Sequence, residues 1–393
     1  MKIAAVLVRG AEVYAPEAHG SLDVLSVGEK IAAMEPGLNL PAWTQGVELD
    51  GRGAFLVPGL IDQHAHIAGG GGEGGPQNRT PEIGLSHLTR AGITTVVGVL
   101  GTDGTTRSVA ELLAKARSLE QEGITAWIYT GAYEVPTRTL TGSARSDIVL
   151  LDRVLGIGEV ALSDQRGSHP SIQALAELAA EARVGGLLAG KAGVLHLHLG
   201  SGPRHLQDLI EIVDAHDIPI ETFVPTHLNR TRSLLMSAVD YGKRGGWLDI
   251  TSGIIPDARD KAAVDPVEAL ITLSQQGIPW EHLSLSSDAQ GSAPLFDAAG
   301  HLTGIGIGKA DTLWHAVERL VRERAMSWTD ALKPATTTPA AILKLGAVGQ
   351  IVPGYQADFL LIRDHHIETV VARGRVMVDR GRVKVWGTFE RES

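Results

Sequence analysis

The segment Gly59-Leu60-Ile61-Asp62-Gln63-His64-Ala65-His66 runs an apolar stretch into a His-X-His pair. On a strand, residues i and i+2 point to the same side, so His64 and His66 present two imidazoles to one spot. A lone histidine at a strand end is an ordinary polar residue. A pair closing an apolar run after Pro58-Gly59 is a metal-binding pattern. The chain has no cysteine, which excludes a thiolate zinc site, an iron–sulfur cluster, a disulfide scaffold and a cysteine nucleophile. Any transition-metal site therefore draws on the fifteen histidines and on carboxylates.

Three further candidates, His198, His227 and Asp288, fall at or just past the ends of later strand-like runs. Glu159 joins them, at the start of a run drawn as Glu159–Ser163. Four imidazoles and two carboxylates suit two divalent ions, Zn2+ before others. A carboxylate bridging two cations about 3.5–4 Å apart leaves room for a shared hydroxide. His196-Leu197-His198 is a second His-X-His, and its spacing does not say which ring binds metal. His198, nearer the strand end beside Gly200, is the expected ligand, and the remaining histidines read as structural.

The elements that must gather these residues alternate regularly. Strand-like runs at Phe55–Gln63, Thr94–Gly101, Ala126–Tyr133, Glu159–Ser163, Val194–Leu199, Thr222–Thr226, Leu248–Thr251 and Leu283–Ser286 alternate with helical patterns. Those patterns include Val109–Gln121, Ile148–Leu155, Ile172–Arg183, Pro266–Gln276 and, after the eighth run, Thr312–Glu323. The expected fold class is α/β, a (β/α)8 TIM-like barrel whose strand ends converge on one face. A doubly wound open sheet is the competing arrangement, but no GxGxxG opens a helix after the first strand. Residues 1–54 and 346–393 instead carry short strands and turns, and are expected to pair into one discontinuous β-sandwich beside a barrel of residues 55–345.

Composition is that of a folded protein, 44% hydrophobic and 20% charged. A net charge of −10 argues against nucleic acid or an anionic membrane as partner. No run reaches the roughly 18 apolar residues of a membrane span. Ile3–Val8 is too short for a secretory segment and reads as a strand, so a cytoplasmic protein is expected.

With these residues assembled, the chain resembles the amidohydrolase superfamily, and within it the isoaspartyl (β-aspartyl) dipeptidase group. The resemblance covers nearly the whole length. Its specific stretches are Gly59–Pro76, Val97–Asp103, Thr130–Gly142, Ser163–Arg166, Pro225–Arg230 and Leu285–Pro294. It implies that His64 and His66 bind one metal, that His198 and His227 bind the other, and that a strand-four carboxylate bridges them. Asp288 would bind metal and act as general base and acid around a metal-bridging hydroxide. Tyr133 would donate to the oxyanion. Glu73 would bind the substrate's free amine, Arg166, Arg230 and Ser292 its carboxylate, and Gly71 and Thr102 would line the pocket. Small β-aspartyl dipeptides would be the substrates and an octamer the assembly.

One departure stands out. The superfamily form with a carboxylated lysine as the bridge finds no lysine here; Gly156-Ile157-Gly158-Glu159 carries one residue more, and Glu159 would replace the carbamate. Glutamate is the shorter bridge, so a β-bulge beside Gly158 is expected to bring the backbone closer. The residues carry their own logic too. Four consecutive glycines, Gly69 to Gly72, suit a backbone that approaches a ligand closely, and Glu73 beyond them suits an ammonium. Arg166 and Arg230 offer bidentate carboxylate recognition, so a zwitterion with an extra carboxylate fits. The alternatives are a related hydrolase of cyclic amides or N-acyl amino acids, and, from another class, a non-catalytic scaffold.

Overall fold

A computed structural model describes residues 3–256, 262–296 and 302–390. Eight parallel strands surround the histidines: β1 (Leu60–Ala65), β2 (Ile93–Gly98), β3 (Thr125–Thr130), β4 (Val154–Leu162), β5 (Val194–Leu199), β6 (Phe223–Thr226), β7 (Leu248–Thr251) and β8 (Leu283–Ser286). The first six form one parallel sheet in sequence order, and β7 and β8 a parallel pair. Leu228 N donates to Asp249 O (3.3 Å), which joins β6 to β7. Asp288 N donates to His64 O (3.1 Å) and His66 N to Ala289 O (2.8 Å), which returns the end of β8 to β1.

Apart from half-buried Trp127 in β3 the strands are buried along their whole length, all nine residues of β4 included, because helices cover one side and packed side chains the other. That is why these runs read as continuous apolar stretches without alternation. The covering helices begin at side-chain caps: Ser108, Ser171, Thr231 and Asp265 each accept from backbone N–H groups of the first turn. Inside the ring, the fully buried Asp249 carboxylate accepts from Gln63 Nε2, Ser284 Oγ, Thr226 Oγ1 and Ser286 Oγ, tying four strands together below the histidines.

Both chain ends share one nine-stranded sheet. Ile3–Tyr14 pairs in parallel with Thr44–Asp50 over its first half and with Phe55–Pro58 over its second, and its antiparallel pairing with Ala18–Val27 shifts register after Val8. Phe55–Pro58 then pairs antiparallel with Phe359–Arg363, and His366–Ala372, Arg375–Asp379 and Arg382–Val383 follow outward. A second apolar cluster fills this unit, with Val8, Val13, Leu56, Phe359 and Val371 fully buried.

Three expected boundaries move. Phe55–Gln63 is two strands, because Pro58 lacks an N–H and Gly59 turns the chain against Thr94; Phe55–Pro58 joins the end sheet rather than the ring. The helix expected over Ile148–Leu155 lies at Ala144–Leu150, started by a Ser143 capping box, and Val154 already begins β4. Glu159 therefore stands well inside β4 and not at its start. No helix among the described residues is long and apolar enough to cross a membrane.

Where the two units meet, buried Asp358 accepts from Arg373 N (2.7 Å) and Gln356 Nε2 (2.7 Å). Burial outweighs these bonds and pushes its carboxyl up to about 6. A carboxyl raised in the fold contributes stability that is present below its unfolded value near 3.9 and lost as pH rises through 6. Asp358→Asn should thus be more resistant to urea than the wild type at pH 7.5, and the difference should shrink as pH falls toward 4 in paired denaturation curves.

Candidate metal centre

Six side chains converge at the C-terminal ends of the strands, where the fold exposes its loops. Glu159 is central and fully buried. Its Oε2 lies 3.4 Å from His64 Nε2, 3.4 Å from His198 Nδ1 and 3.6 Å from His227 Nε2, and its Oε1 lies 3.6 Å from His66 Nε2. Asp288 Oδ1 stands 3.1 Å from His66 Nε2 and 3.5 Å from His64 Nε2, with a quarter of its side chain exposed at the mouth. Three overlapping triads have ligand atoms within 4.8 Å of one another: His64–His66–Glu159, Glu159–His198–His227 and His64–His227–Asp288.

These donors fit divalent cations. Both Glu159 oxygens, His64 Nε2 and Asp288 Oδ1 are buried and have no hydrogen-bond partner among the described residues. Orphaned buried carboxylate oxygens facing imidazoles are costly unless positive charge lies between them. Glu159 belongs to two of the triads, as a bridging ligand must. Burial alone would raise its carboxyl, but the facing His64, His198 and His227 rings hold it well below the usual range. Burial likewise opposes charge on His64, and the Glu159 and Asp288 carboxylates override it, pushing that imidazole up to about 9. His227, where burial prevails, falls to about 3.

Local backbone explains how the ligands are aimed. Leu195 pairs with Ile157 and Leu197 with Val160, so Gly158 and Glu159 together oppose His196 alone: β4 is bulged at its ligand. His227 (φ 62°) and Asp288 (φ 56°) both adopt left-handed backbone, a strained state that the surrounding structure must hold.

The substrate candidates come from loops after different strands. Glu73 Oε1 accepts from Thr102 Oγ1 (2.8 Å) and Arg166 Nη1 (3.1 Å), and its Oε2 from Ser292 Oγ (3.1 Å). Gly71 stands in the same loop, bridged to Arg79. Tyr133 is buried with its hydroxyl 2.7 Å from His198 Nδ1, beneath the Arg166 guanidinium. Burial raises its pKa well above 10, so the phenol keeps its proton at neutral pH. Arg230 sits apart from the Glu73 group: its Nε donates to Leu199 O, while its charge acts on Tyr133 and His227.

The sequence profile of the amidohydrolase family matches residues 55–377. The chain belongs to that family. A solved β-aspartyl dipeptidase from Fervidobacterium islandicum AW-1, in complex with β-Asp-Leu dipeptide, is 39% identical to this amidohydrolase, with a TM-score of 0.88 over 97% of this chain and 98% of that one. D-hydantoinase, 16% identical with a TM-score of 0.68, shares the fold. The adenine deaminase of Deinococcus radiodurans is 28% identical over 91% of this chain, which spans only 59% of that enzyme's length. The imidazolonepropionase of Ralstonia nicotianae is 26% identical over 91% of this chain and 90% of its own.

Several groups around this amidohydrolase centre escape sequence reading. His196 is one layer down, its Nε2 2.7 Å from His64 Nδ1 and its ring stacked on Tyr129. Thr251 Oγ1 meets His227 Nδ1 at 2.7 Å. Asp62 accepts from the backbone N–H and hydroxyl of Ser287, seating the residue before Asp288. Buried Arg107 donates to Ala68, Gly70 and Thr80 carbonyls and pins the glycine loop. The His-X-His at 196–198 was a visible signal; the others depend on which loops face one another.

Gly101 has φ +77°, and a Cβ there would lie 2.5 Å from His66 Cε1. Gly101→Ala should therefore displace His66 and add about 1–2 kcal/mol of backbone strain. The expected result is at least tenfold weaker binding of one ion in a cobalt titration, with a folded circular-dichroism spectrum.

Proposed function

We propose that this chain is a binuclear metal-dependent dipeptidase that hydrolyses the β-aspartyl bond of isoaspartyl dipeptides. The observation that carries the reading is Glu73, an anion held by Thr102, Arg166 and Ser292 at the edge of the histidine cluster. A carboxylate and a guanidinium side by side suit the ammonium and carboxylate of a free amino-acid head, which a neutral purine or cyclic amide lacks. The 39% identical relative with β-Asp-Leu supports the same substrate class.

In this mechanism His64, His66 and Glu159 would hold one ion, and Glu159, His198 and His227 the other, with Asp288 beside the first pair. Two bound cations, Zn2+ by ligand chemistry, would supply Lewis acidity toward the scissile carbonyl and acidify water. Asp288, held ionised by His64 and His66 against the effect of burial, receives the proton of the attacking water and returns it to the leaving nitrogen. Tyr133, protonated at neutral pH, donates to the oxygen that gains charge. Glu73 binds the substrate ammonium, Arg166, Arg230 and Ser292 its carboxylate, and Gly71 and Thr102 line the pocket.

The eight strands make a closed (β/α)8 barrel in this reading, with a β-sandwich unit built from residues up to Pro58 and from 346 onward. We further propose a cytoplasmic homo-oligomer, an octamer by family resemblance, which light scattering on the purified chain reads directly.

The test is turnover of β-Asp-Leu beside α-Asp-Leu, dihydroorotate and adenine, with metal and after chelation. Cleavage of β-Asp-Leu alone, lost on chelation and restored by Zn2+, is expected; faster turnover of dihydroorotate or adenine would replace the reading. Glu73→Gln removes one charged partner of the substrate amine and should lower kcat/KM on β-Asp-Leu by about 10- to 100-fold.

A further inference from the structure

His198 shows two different faces. Its Nδ1 lies 2.7 Å from the Tyr133 hydroxyl and 3.4 Å from Glu159 Oε2, toward the cluster, and its Nε2 lies 3.0 Å from both Asp164 Oδ2 and Arg166 Nη2, away from it. Asp164 is built into this place. Its side chain is only 8% exposed, unlike a surface ion pair. Its Oδ1 accepts from Arg166 N (2.8 Å) and Nε (3.0 Å), and its Oδ2 from Arg166 Nη2 (2.8 Å). The backbone beneath it is pressed against the loop after β5: Gly202 N donates to Ser163 O (2.6 Å), and a Cβ on Gly200 would lie 2.6 Å from both Cα and Cβ of Asp164. Ser163 takes left-handed backbone (φ 51°) to make that turn.

The other cluster imidazoles lack such a partner. His64 Nδ1 meets His196, His227 Nδ1 meets Thr251, and His66 Nδ1 has no hydrogen-bond partner among the described residues. An outer carboxylate that accepts from one ring nitrogen leaves the lone pair on the other and raises its basicity.

We propose that Asp164 is a positioning residue: by accepting the Nε2–H of His198 it turns the Nδ1 lone pair toward Glu159, sets the affinity of the ion held by His198 and His227, and ties that ion to the Arg166 substrate contact. The inference rests on the two-ion reading of the site but not on the identity of the substrate. One carboxylate thus serves two tasks. Arg166 and the second ion share it, so losing it loosens both, whereas the ion at His64 and His66 keeps all its contacts.

The experiment is a Co2+ titration of the metal-free full-length chain, followed by d–d absorbance and calorimetry, for wild type, Asp164→Asn and Gly200→Ala. Wild type should take up two ions. Asp164→Asn should bind one ion as the wild type does and the other about 10- to 100-fold more weakly. The metal-free variant should keep a folded circular-dichroism spectrum, and the KM for β-Asp-Leu should rise even at saturating metal. Gly200→Ala, which displaces Asp164 without altering its charge, should weaken the same ion. Wild-type affinity for both ions in Asp164→Asn, equal weakening of both, or a wild type that takes up a single ion would overturn the proposal. A selective loss of one ion in a protein that does not cleave β-Asp-Leu would leave the positioning role standing and sink the substrate reading instead.

Discussion

A fully buried carboxylate without a single hydrogen-bond donor is the constraint around which this protein is organised. Glu159 sits among four imidazoles at separations of 3.4 to 3.6 Å, and neither oxygen has a hydrogen-bond partner among the described residues. Removing such an anion from water is expensive, and only positive charge drawn into the same space offsets it. The histidine donors and the bulge at Glu159 leave room among them for positive charge of that kind. The chain therefore carries an electrostatic debt in its fold that its chemistry uses.

Holding the donors in place falls to buried polar groups one layer out. Asp249 ties four strands below the cluster, Asp62 seats Ser287, and His196 and Thr251 contact the outer nitrogens of His64 and His227. Asp249 and Asp62 accept from amide, hydroxyl and backbone donors, so this layer fixes direction through hydrogen bonds rather than through further ion pairs. At the rim the logic changes: Glu73, Arg166, Arg230 and Asp288 are charged and partly open to the mouth, where a polar ligand can reach them.

How much of this could be read from the chain depends on the range of the signal. His64 and His66 declare themselves through a two-residue period, and Val194–Leu199, Leu248–Thr251 and Leu283–Ser286 have the limits their flanking turn residues suggest. The start of β4 is hidden in the sequence because Ile148–Leu155 is apolar enough for either a helix or a buried strand, and only the Ser143 cap sets the helix at Ala144–Leu150. Phe55–Gln63 looked like one strand because both of its halves are buried, although in different sheets. Asp164, Arg107 and Asp249 left no trace, since their roles come from loops and strands distant in sequence that meet only in space.

The nine-stranded sheet carries a consequence for how the molecule is made. Phe55–Pro58 finds one of its two edge partners nearby, in Glu12 and Val13, and the other in Phe359–Arg363. Until residues 359–363 have been made, this strand edge lacks its partner on one side. Such an edge invites pairing with a neighbouring chain. What covers that edge between the synthesis of Pro58 and that of Phe359 therefore bears on how cleanly the chain folds.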